Sequence, residues 1–256
     1  MLARLSAIGQ KRTFTCNSTE GFAQIMTNLS TISKMEFADW YENMSPLISN
    51  GILKCDTGGA WEENHISFAL VDALENGAGE ISLNPDYTTS YTIKKVSGDP
   101  EEKYGDIIVL VELEVNENTI EGVGHFEAKR SYKDSPRFKM IDAEQLEIML
   151  KSSRAHSVLL YDIGGDNSNR YGVATAVNTP LVIASKLKSE ALHSLGEDFI
   201  DKFARYLAGR ELDFDSAAVQ DAKQAINKGQ VVAAILVRTR FSPKLKLGTQ
   251  KKPKHT

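Results

Sequence analysis

Two β-rich runs separated by a short polar linker constrain the fold of this chain more than any other feature of its sequence. The runs are DIIVLVELEV at 106–115 and TIEGVGHFEAK at 119–129, with Asn116-Glu117-Asn118 between them. β-Branched and apolar residues favour strands, and a short polar linker favours a tight turn. The chain is therefore expected to fold back on itself here as an antiparallel hairpin.

The register of this hairpin decides which side chains share a face of the sheet. With a two-residue turn, for instance Glu117-Asn118, paired positions sum to an odd number, and Asp106 falls opposite Glu127 or Lys129 on their face. Burial enforces this pairing, because a slip by one residue would mix apolar and polar side chains. One face is expected to carry Ile107, Val109, Val111, Leu113, Val115, Ile120, Phe126 and Ala128, and the other Asp106, Glu112, Glu114, Glu121, His125, Glu127 and Lys129.

The polar face of the hairpin would bring two carboxylates and an ammonium group together. Neighbouring carboxylates repel each other, and Mg²⁺ is the usual partner that lets both stay ionised. An ion with few protein ligands keeps positions open for water and phosphate, and Lys129 lies on the same side of the strand as Glu127, where it could act on an attacking water. The alternative is a lattice of surface salt bridges, which is common on exposed sheets and contributes little stability.

A helix is expected on each side of the hairpin. Residues 61–74 have an amphipathic pattern with Glu63 at the border of the buried stripe, where its carboxylate could face the sheet or simply stabilise the first helical turn. Residues 142–152 predict a second helix, in which Gln145 stands at capping-box spacing from Asp142, so Gln145 also has a purely structural explanation.

The predicted elements follow the order helix, one or two strands between 81 and 96, hairpin, helix, and a buried strand at 157–163. This order and the residues on it resemble the catalytic core of the PD-(D/E)xK nuclease superfamily, the restriction-endonuclease-like fold. That family has an αβββαβ core with an Asp near the start of one strand, an acid-x-Lys on the next, often a Glu on the preceding helix and in some branches a Gln on the following helix. The matching segments are Gly105-Asp106-Ile107, Glu127-Ala128-Lys129, Glu62-Glu63-Asn64 and Glu144-Gln145-Leu146, and Gly105 stands where the family's signature has a proline.

The resemblance implies a Mg²⁺-dependent nuclease that could also use Mn²⁺. Either Glu62 or Glu63 could be the helix carboxylate, and Glu63 fits better because it lies three residues before Ile66. By resemblance, Asp106 and Glu127 would hold the metal, Glu63 would support it or bind a second ion, Lys129 would act on the water, and Gln145 would position Lys129 or a phosphate.

The resemblance also indicates the kind of substrate and partner. Family members of this size often serve in restriction, phage defence or DNA repair, so the expected substrate is nucleic acid, DNA in the first place, cut as an endonuclease. A homodimer or a partner subunit of a defence complex is the expected assembly. A competing hypothesis is a nucleic-acid-binding or defence-complex subunit that keeps the fold without catalysis, although the intact acid-x-Lys at 127–129 argues against it. A third is an enzyme of unrelated fold whose hairpin matches by chance.

The whole chain is expected to be an α/β protein with a mixed central sheet. An N-terminal helical region at 1–56 would cap a nuclease-like core at 57–165, a C-terminal α/β extension at 166–241 would pack on that core, and 242–256 would be a basic, flexible tail. Within the extension, the patterns predict one or two strands at 171–185 with Pro180 between apolar runs, helices at 190–208 and 216–228, and a strand at 230–241.

The charge and cysteine content of the chain indicate which binding partners and which cellular compartment to expect. The net charge of -4 is unfavourable for binding phosphates, but distribution matters more than the total. Directly after the acid-x-Lys, four basic residues are candidates for contact with a nucleic-acid backbone: Arg130, Lys133, Arg137 and Lys139. Cys16 and Cys55 show no disulfide or zinc spacing, and no apolar stretch has the length of a membrane span, so a cytoplasmic protein without membrane contact is expected.

Overall fold

The computed structural model describes residues 38–77, 81–84, 87–96, 103–115, 118–132, 137–138, 141–166, 168–185 and 192–241. These parts form a mixed open sheet of seven strands, extended at one edge by a two-residue strand, with N-terminal helices. The expected α/β class and mixed central sheet are therefore confirmed. The strands are β1 (Ile81–Asn84), β2 (Tyr87–Lys95), β3 (Ile107–Val115), β4 (Asn118–Arg130), β5 (His156–Asp166), β6 (Asn169–Asn178), β7 (Glu197–Asp198) and β8 (Ala233–Phe241).

The strand order across the sheet is β1-β2-β8-β3-β4-β5-β6-β7. β4 runs antiparallel to β3 and parallel to β5, and the helix between β4 and β5 makes the crossover. β8 runs parallel to β3 and separates it from β2. The last strand of the expected C-terminal extension therefore lies in the middle of the same sheet as the hairpin, while the domain boundaries themselves stay a prediction.

The hairpin has the register that its polarity pattern predicts. Val115 pairs with Asn118 and Ile107 pairs with Phe126, so each pair of positions sums to an odd number. The two residues between the strands are 116 and 117 rather than 117 and 118. Extending the ladder by one position places Asp106 across from Glu127, as expected.

Helices cover both faces of the sheet. They are α1 (Ala38–Thr57), α2 (Glu63–Asn76), α3 (Ala143–Ser152), α4 (Thr179–Ala184), α5 (Phe199–Leu207) and α6 (Ser216–Lys228). α1, α2 and α5 pack on one face, where the main core contains the odd-numbered apolar residues of β3 together with Phe126 and Ala128 of β4. α6 covers the opposite face at Ile108 and Val123, and α3 and α4 cover it at Val158 and Leu160.

Two segments of the C-terminal half differ from the sequence expectation. Pro180 does not separate two strands, because β6 ends at Asn178 and Pro180 lies in the first turn of α4. The N–H groups of a first helical turn make no hydrogen bond within the helix, so proline is tolerated there. In the range 190–208, where one helix is expected, the residues described from His193 onward form a 3₁₀ turn at His193–Leu195, the edge strand β7 and then α5. The helix expected at 216–228 and the strand expected at 230–241 are present as α6 and β8.

The N-terminal helical region is described from α1 onward. α1 buries Trp40, Met44, Ile48 and Ile52, which recur every four residues along the helix and face the sheet. Residues 1–37 of the expected N-terminal helical region lie outside the described residues. None of the helices in the described parts is long and apolar enough to cross a membrane.

Candidate active site

The acid-x-Lys segment lies near the end of β4, between two neighbouring strands. Glu127 and Lys129 are two positions apart and therefore point to the same face, beside Val158 and Leu160 of β5. Both are largely buried, with 5% of Glu127 and 9% of Lys129 exposed. Charged groups with so little access to water require partners in the protein.

Each partner of Glu127 contacts the same oxygen. Lys129 donates from Nζ to Glu127 Oε1 at 2.5 Å, and Gln145 of α3 donates from Nε2 to that oxygen at 3.1 Å. Asp142 caps α3 by accepting from the N–H of Glu144. The capping-box explanation of Gln145 does not account for the hydrogen bond from its amide nitrogen to Glu127.

Asp106 is held at the start of β3 by backbone contacts on two sides. Its N–H donates to the Phe126 carbonyl at 2.8 Å, and its own carbonyl accepts from the N–H groups of Val232 and Ala233. The carboxylate turns toward β4, where Oδ2 accepts from the N–H of Ala128 at 2.6 Å. Asp106 is therefore held against the acid-x-Lys strand, where its carboxylate interacts electrostatically with Glu127 and Lys129.

Gly105 has the conformation that this approach to β4 requires. Its φ is +73°, a region that proline cannot adopt, and a Cβ there would lie 2.6 Å from the Phe126 carbonyl oxygen. The glycine in the position of the family's proline is thus explained by the local backbone.

Glu63 belongs to the first turn of α2 and reaches the end of β4. The N–H of Arg130 donates to Glu63 Oε1 at 3.5 Å, and Trp61, just before the helix, donates from Nε1 to the Ser131 carbonyl at 2.8 Å. Glu62 faces outward with 61% of its side chain exposed and makes a 3.4 Å contact with Arg130. Of the two candidate helix carboxylates, Glu63 is the one that faces the acid-x-Lys segment.

The charged groups at this site affect one another's pKa values. Burial raises the pKa of Asp106 to about 7, and repulsion from Glu127 adds to the shift. Burial also raises the pKa of Glu127, although Lys129 and Gln145 act against the shift. Burial lowers the pKa of Lys129, but the attraction of Glu127, Glu63 and Asp106 outweighs it, so the pKa lies above its ordinary value. The ammonium group of Lys129 thus interacts with all three carboxylates, and Glu127 disfavours the ionised form of Asp106.

The carboxylates around Lys129 do not form a complete metal-binding site as they stand. Among the described residues, no three His, Cys, Asp or Glu side chains are arranged as a ready metal site. The donor set nevertheless has the chemistry that a hard divalent ion prefers, since it consists of carboxylate oxygens and Mg²⁺ needs only one or two protein carboxylates. Asp106, Glu127 and Glu63 all interact with Lys129, but they would have to move closer together to share one ion.

The other half of the polar face is a lattice of surface salt bridges. Glu112 and Glu114 of β3 pair with Arg238 and Arg240 of the neighbouring β8, and Glu121 pairs with Lys223 of α6. The arginine side chains are more than half exposed, so these pairs contribute little stability. The polar face therefore divides into a solvated lattice at one end and a buried charged cluster at the other.

The proposed backbone-binding residues are described only in part. Arg130 is half-buried beside Glu62, and Arg137 is exposed. Lys133, Lys139 and the tail at 242–256 lie outside the described residues. The two aromatic residues between these basic positions differ, because Tyr132 is exposed whereas Phe138 is buried and packs against His193.

Two polar pairs near the site had no signal in the sequence. Ser67 of α2 and Tyr161 of β5 share a buried hydrogen bond of 3.0 Å. On the opposite face, the rings of His125 and His156 stack at 4.5 Å. Each pair joins residues on different elements, so only strand order and helix packing bring its members together.

No protein-family model, curated protein or solved structure matches this chain. The roles assigned to Asp106, Glu127, Lys129, Glu63 and Gln145 rest on the geometry and charge described above and on the resemblance in the sequence.

Proposed function

We propose that the protein is a metal-dependent nuclease with a restriction-endonuclease-like αβββαβ core. The observation that carries the proposal is that Asp106, Glu127 and Glu63 all interact electrostatically with the ammonium group of Lys129, and that Glu127 and Lys129 have little access to water. Burial disfavours the ionised forms of Asp106 and Glu127, and Glu127 further disfavours ionisation of Asp106. A bound divalent cation would let both carboxylates ionise.

The order of elements along the chain around the cluster supports the same proposal, although β8 lies between β2 and β3 in the sheet. α2 carries Glu63, β3 begins just after Asp106, β4 carries the acid-x-Lys, α3 carries Gln145, and β5 follows parallel to β4. Each of the five residues that the family resemblance selects is joined to the cluster by a hydrogen bond or by electrostatic interaction.

Each side chain has a role that follows from its contacts. Asp106, Glu127 and Glu63 would hold Mg²⁺ or Mn²⁺, which supplies Lewis acidity at the phosphate and lowers the pKa of a bound water. Lys129 keeps its proton beside the carboxylates and can orient the attacking water and offset negative charge that develops at the phosphate. Gln145 fixes the Glu127 oxygen that Lys129 also contacts.

The proposed substrate is DNA, cut internally, in restriction, phage defence or repair. This part of the proposal rests on the resemblance, and a homodimer or a larger defence complex would bring two sites to two strands. Arg130 and Arg137, close in sequence to the acid-x-Lys, are proposed contacts to the phosphate backbone.

The test is incubation of the protein with supercoiled, linear and single-stranded DNA and with RNA, with and without Mg²⁺. We expect Mg²⁺-dependent cleavage of DNA, reduced at least about 100-fold in Glu127→Gln and in Lys129→Met. Glu114→Gln is the matched control, because it removes the same charge from the surface lattice. Cleavage that persists in Glu127→Gln contradicts the site, and nucleic-acid binding without any cleavage by the unmodified protein supports the non-catalytic subunit instead.

A further inference from the structure

Ser67 and Tyr161 form a polar contact inside the main apolar core. Their hydroxyl groups are 3.0 Å apart, and both residues are completely buried. Tyr161 lies on β5 in register with Arg130 of β4, whose N–H contacts Glu63. Ser67 is one turn after Glu63 and therefore lies on the same side of α2. Two successive turns of α2 are thus tied to neighbouring positions of the sheet.

We propose that the Ser67–Tyr161 hydrogen bond positions Glu63 at the metal site, an inference that rests on the proposed nuclease function. Apolar packing alone tolerates small displacements of a helix, whereas a buried hydroxyl pair loses its hydrogen bond when the helix moves. Displacements of about 1 Å near reacting groups can reduce rates on the order of 100-fold. Ser67 and Tyr161 act through Glu63 and do not touch the substrate.

The core would stay well packed without the two hydroxyl groups of this hydrogen bond. Tyr161→Phe and Ser67→Ala each remove one hydroxyl and little volume, and replacing both members of a buried polar pair by apolar groups is often nearly neutral in stability. The Tyr161→Phe, Ser67→Ala double variant therefore separates folding stability from the position of Glu63.

A matched control exists on the same helix. Tyr91 of β2 donates from its hydroxyl to the Leu74 carbonyl at 3.0 Å, near the C-terminal end of α2. Tyr91→Phe removes a buried tyrosine hydrogen bond to α2, as Tyr161→Phe does, but at the end far from Glu63.

The experiment measures Mn²⁺ affinity of the full chain by calorimetry and the initial rate of DNA cleavage as a function of Mg²⁺ concentration. We expect Tyr161→Phe and the double variant to weaken Mn²⁺ binding and to raise the half-saturating Mg²⁺ concentration, each by about 10-fold or more, as for other residues that orient a metal ligand. Tyr91→Phe should leave the half-saturating concentration unchanged. In a Glu63→Gln background, Tyr161→Phe should produce no further shift, because the residue being positioned is already altered.

Several outcomes would overturn the inference. A double variant with the Mg²⁺ dependence of the unmodified protein does so, as does a shift of equal size in Tyr91→Phe or a full additional shift in the Glu63→Gln background. In each of these cases the unmodified protein still cleaves DNA, so the proposed function stands. If the unmodified protein neither cleaves DNA nor binds Mn²⁺ in calorimetry, the function fails and the inference fails with it.

Discussion

Lys129 donates to Oε1 of Glu127 at 2.5 Å from a position only two residues further along the same strand. The pair is enclosed by β5 and α3, so its charges have little contact with water. Removing one member of a buried ion pair leaves the other unpaired, which costs about 3–5 kcal/mol in typical proteins. Substitutions at this site must therefore be judged by activity and by stability together.

The position of Asp106 depends on Gly105. Gly105→Ala is predicted to destabilise the protein through the left-handed backbone, which costs about 1–2 kcal/mol, and through contact with the Phe126 carbonyl, which adds roughly 1–3 kcal/mol. Gly59→Ala is the control, because Gly59 has a φ of +75° but a Cβ added there would meet no atom within 4 Å. Urea denaturation measures both, and equal losses in the two variants would show that the close approach to Phe126 is not significant.

Neutralising Asp106 should stabilise the metal-free protein. The folded pKa of about 7 lies above the ordinary value of 3.8, because burial and Glu127 disfavour the charged form. Between these values the folded protein keeps a proton that the unfolded chain releases, so stability falls as pH rises from about 4 to about 7.

Asp106→Asn removes this titration. Its stability relative to the unmodified protein should therefore increase from about pH 4 to about pH 7 and then stay constant. Urea midpoints in the presence of a chelator measure the difference, with Glu114→Gln as the control for loss of a surface carboxylate. A stability difference that does not change with pH would mean that Asp106 has no strongly shifted titration.

The stacked histidines should make the fold sensitive to acid. Burial lowers the pKa of His125 to about 4 and that of His156 well below its usual value. Both histidines therefore take up protons in the unfolded chain at pH values where they stay neutral in the folded protein. Stability is lost as pH falls from about 6.5 to about 4. His125 alone would account for a loss on the order of 3 kcal/mol at the lower limit.

His156→Phe tests this effect, because it keeps an aromatic ring beside His125 and removes one titrating group. The dependence of unfolding free energy on pH should become less steep than in the unmodified protein. Asp106 contributes with the opposite sign in both proteins and cancels in the comparison. An unchanged slope in His156→Phe would show that His156 titrates normally in the fold.

The hairpin and its neighbours could be predicted from sequence because their signals are local. Alternation with a period of two fixes the register of β3 and β4, and only one of the two possible registers places Asp106 and Glu127 on a common face. The helical spacing around Glu63 and Gln145 is equally local. These residues could therefore be selected without knowledge of the sheet order.

Contacts between distant segments could not be predicted in the same way. The placement of β8 between β2 and β3 depends on a long-range parallel pairing with β3. Hydrophobic periodicity predicts a strand but does not show which other strand it pairs with. The same pairing turns Arg238 and Arg240 from part of a basic C-terminal stretch into partners of Glu112 and Glu114. The local spacing of Gln145 suggests a cap, but the crossover from β4 through α3 to β5 directs its amide to Glu127.

Calorimetric titration with Mn²⁺ shows whether the carboxylates around Lys129 hold a divalent cation. We expect a binding site in the unmodified protein, weakened at least about 10-fold in Asp106→Asn and unchanged in Glu114→Gln. If the unmodified protein does not bind Mn²⁺, or if Asp106→Asn binds it with equal affinity, these carboxylates do not form a metal site.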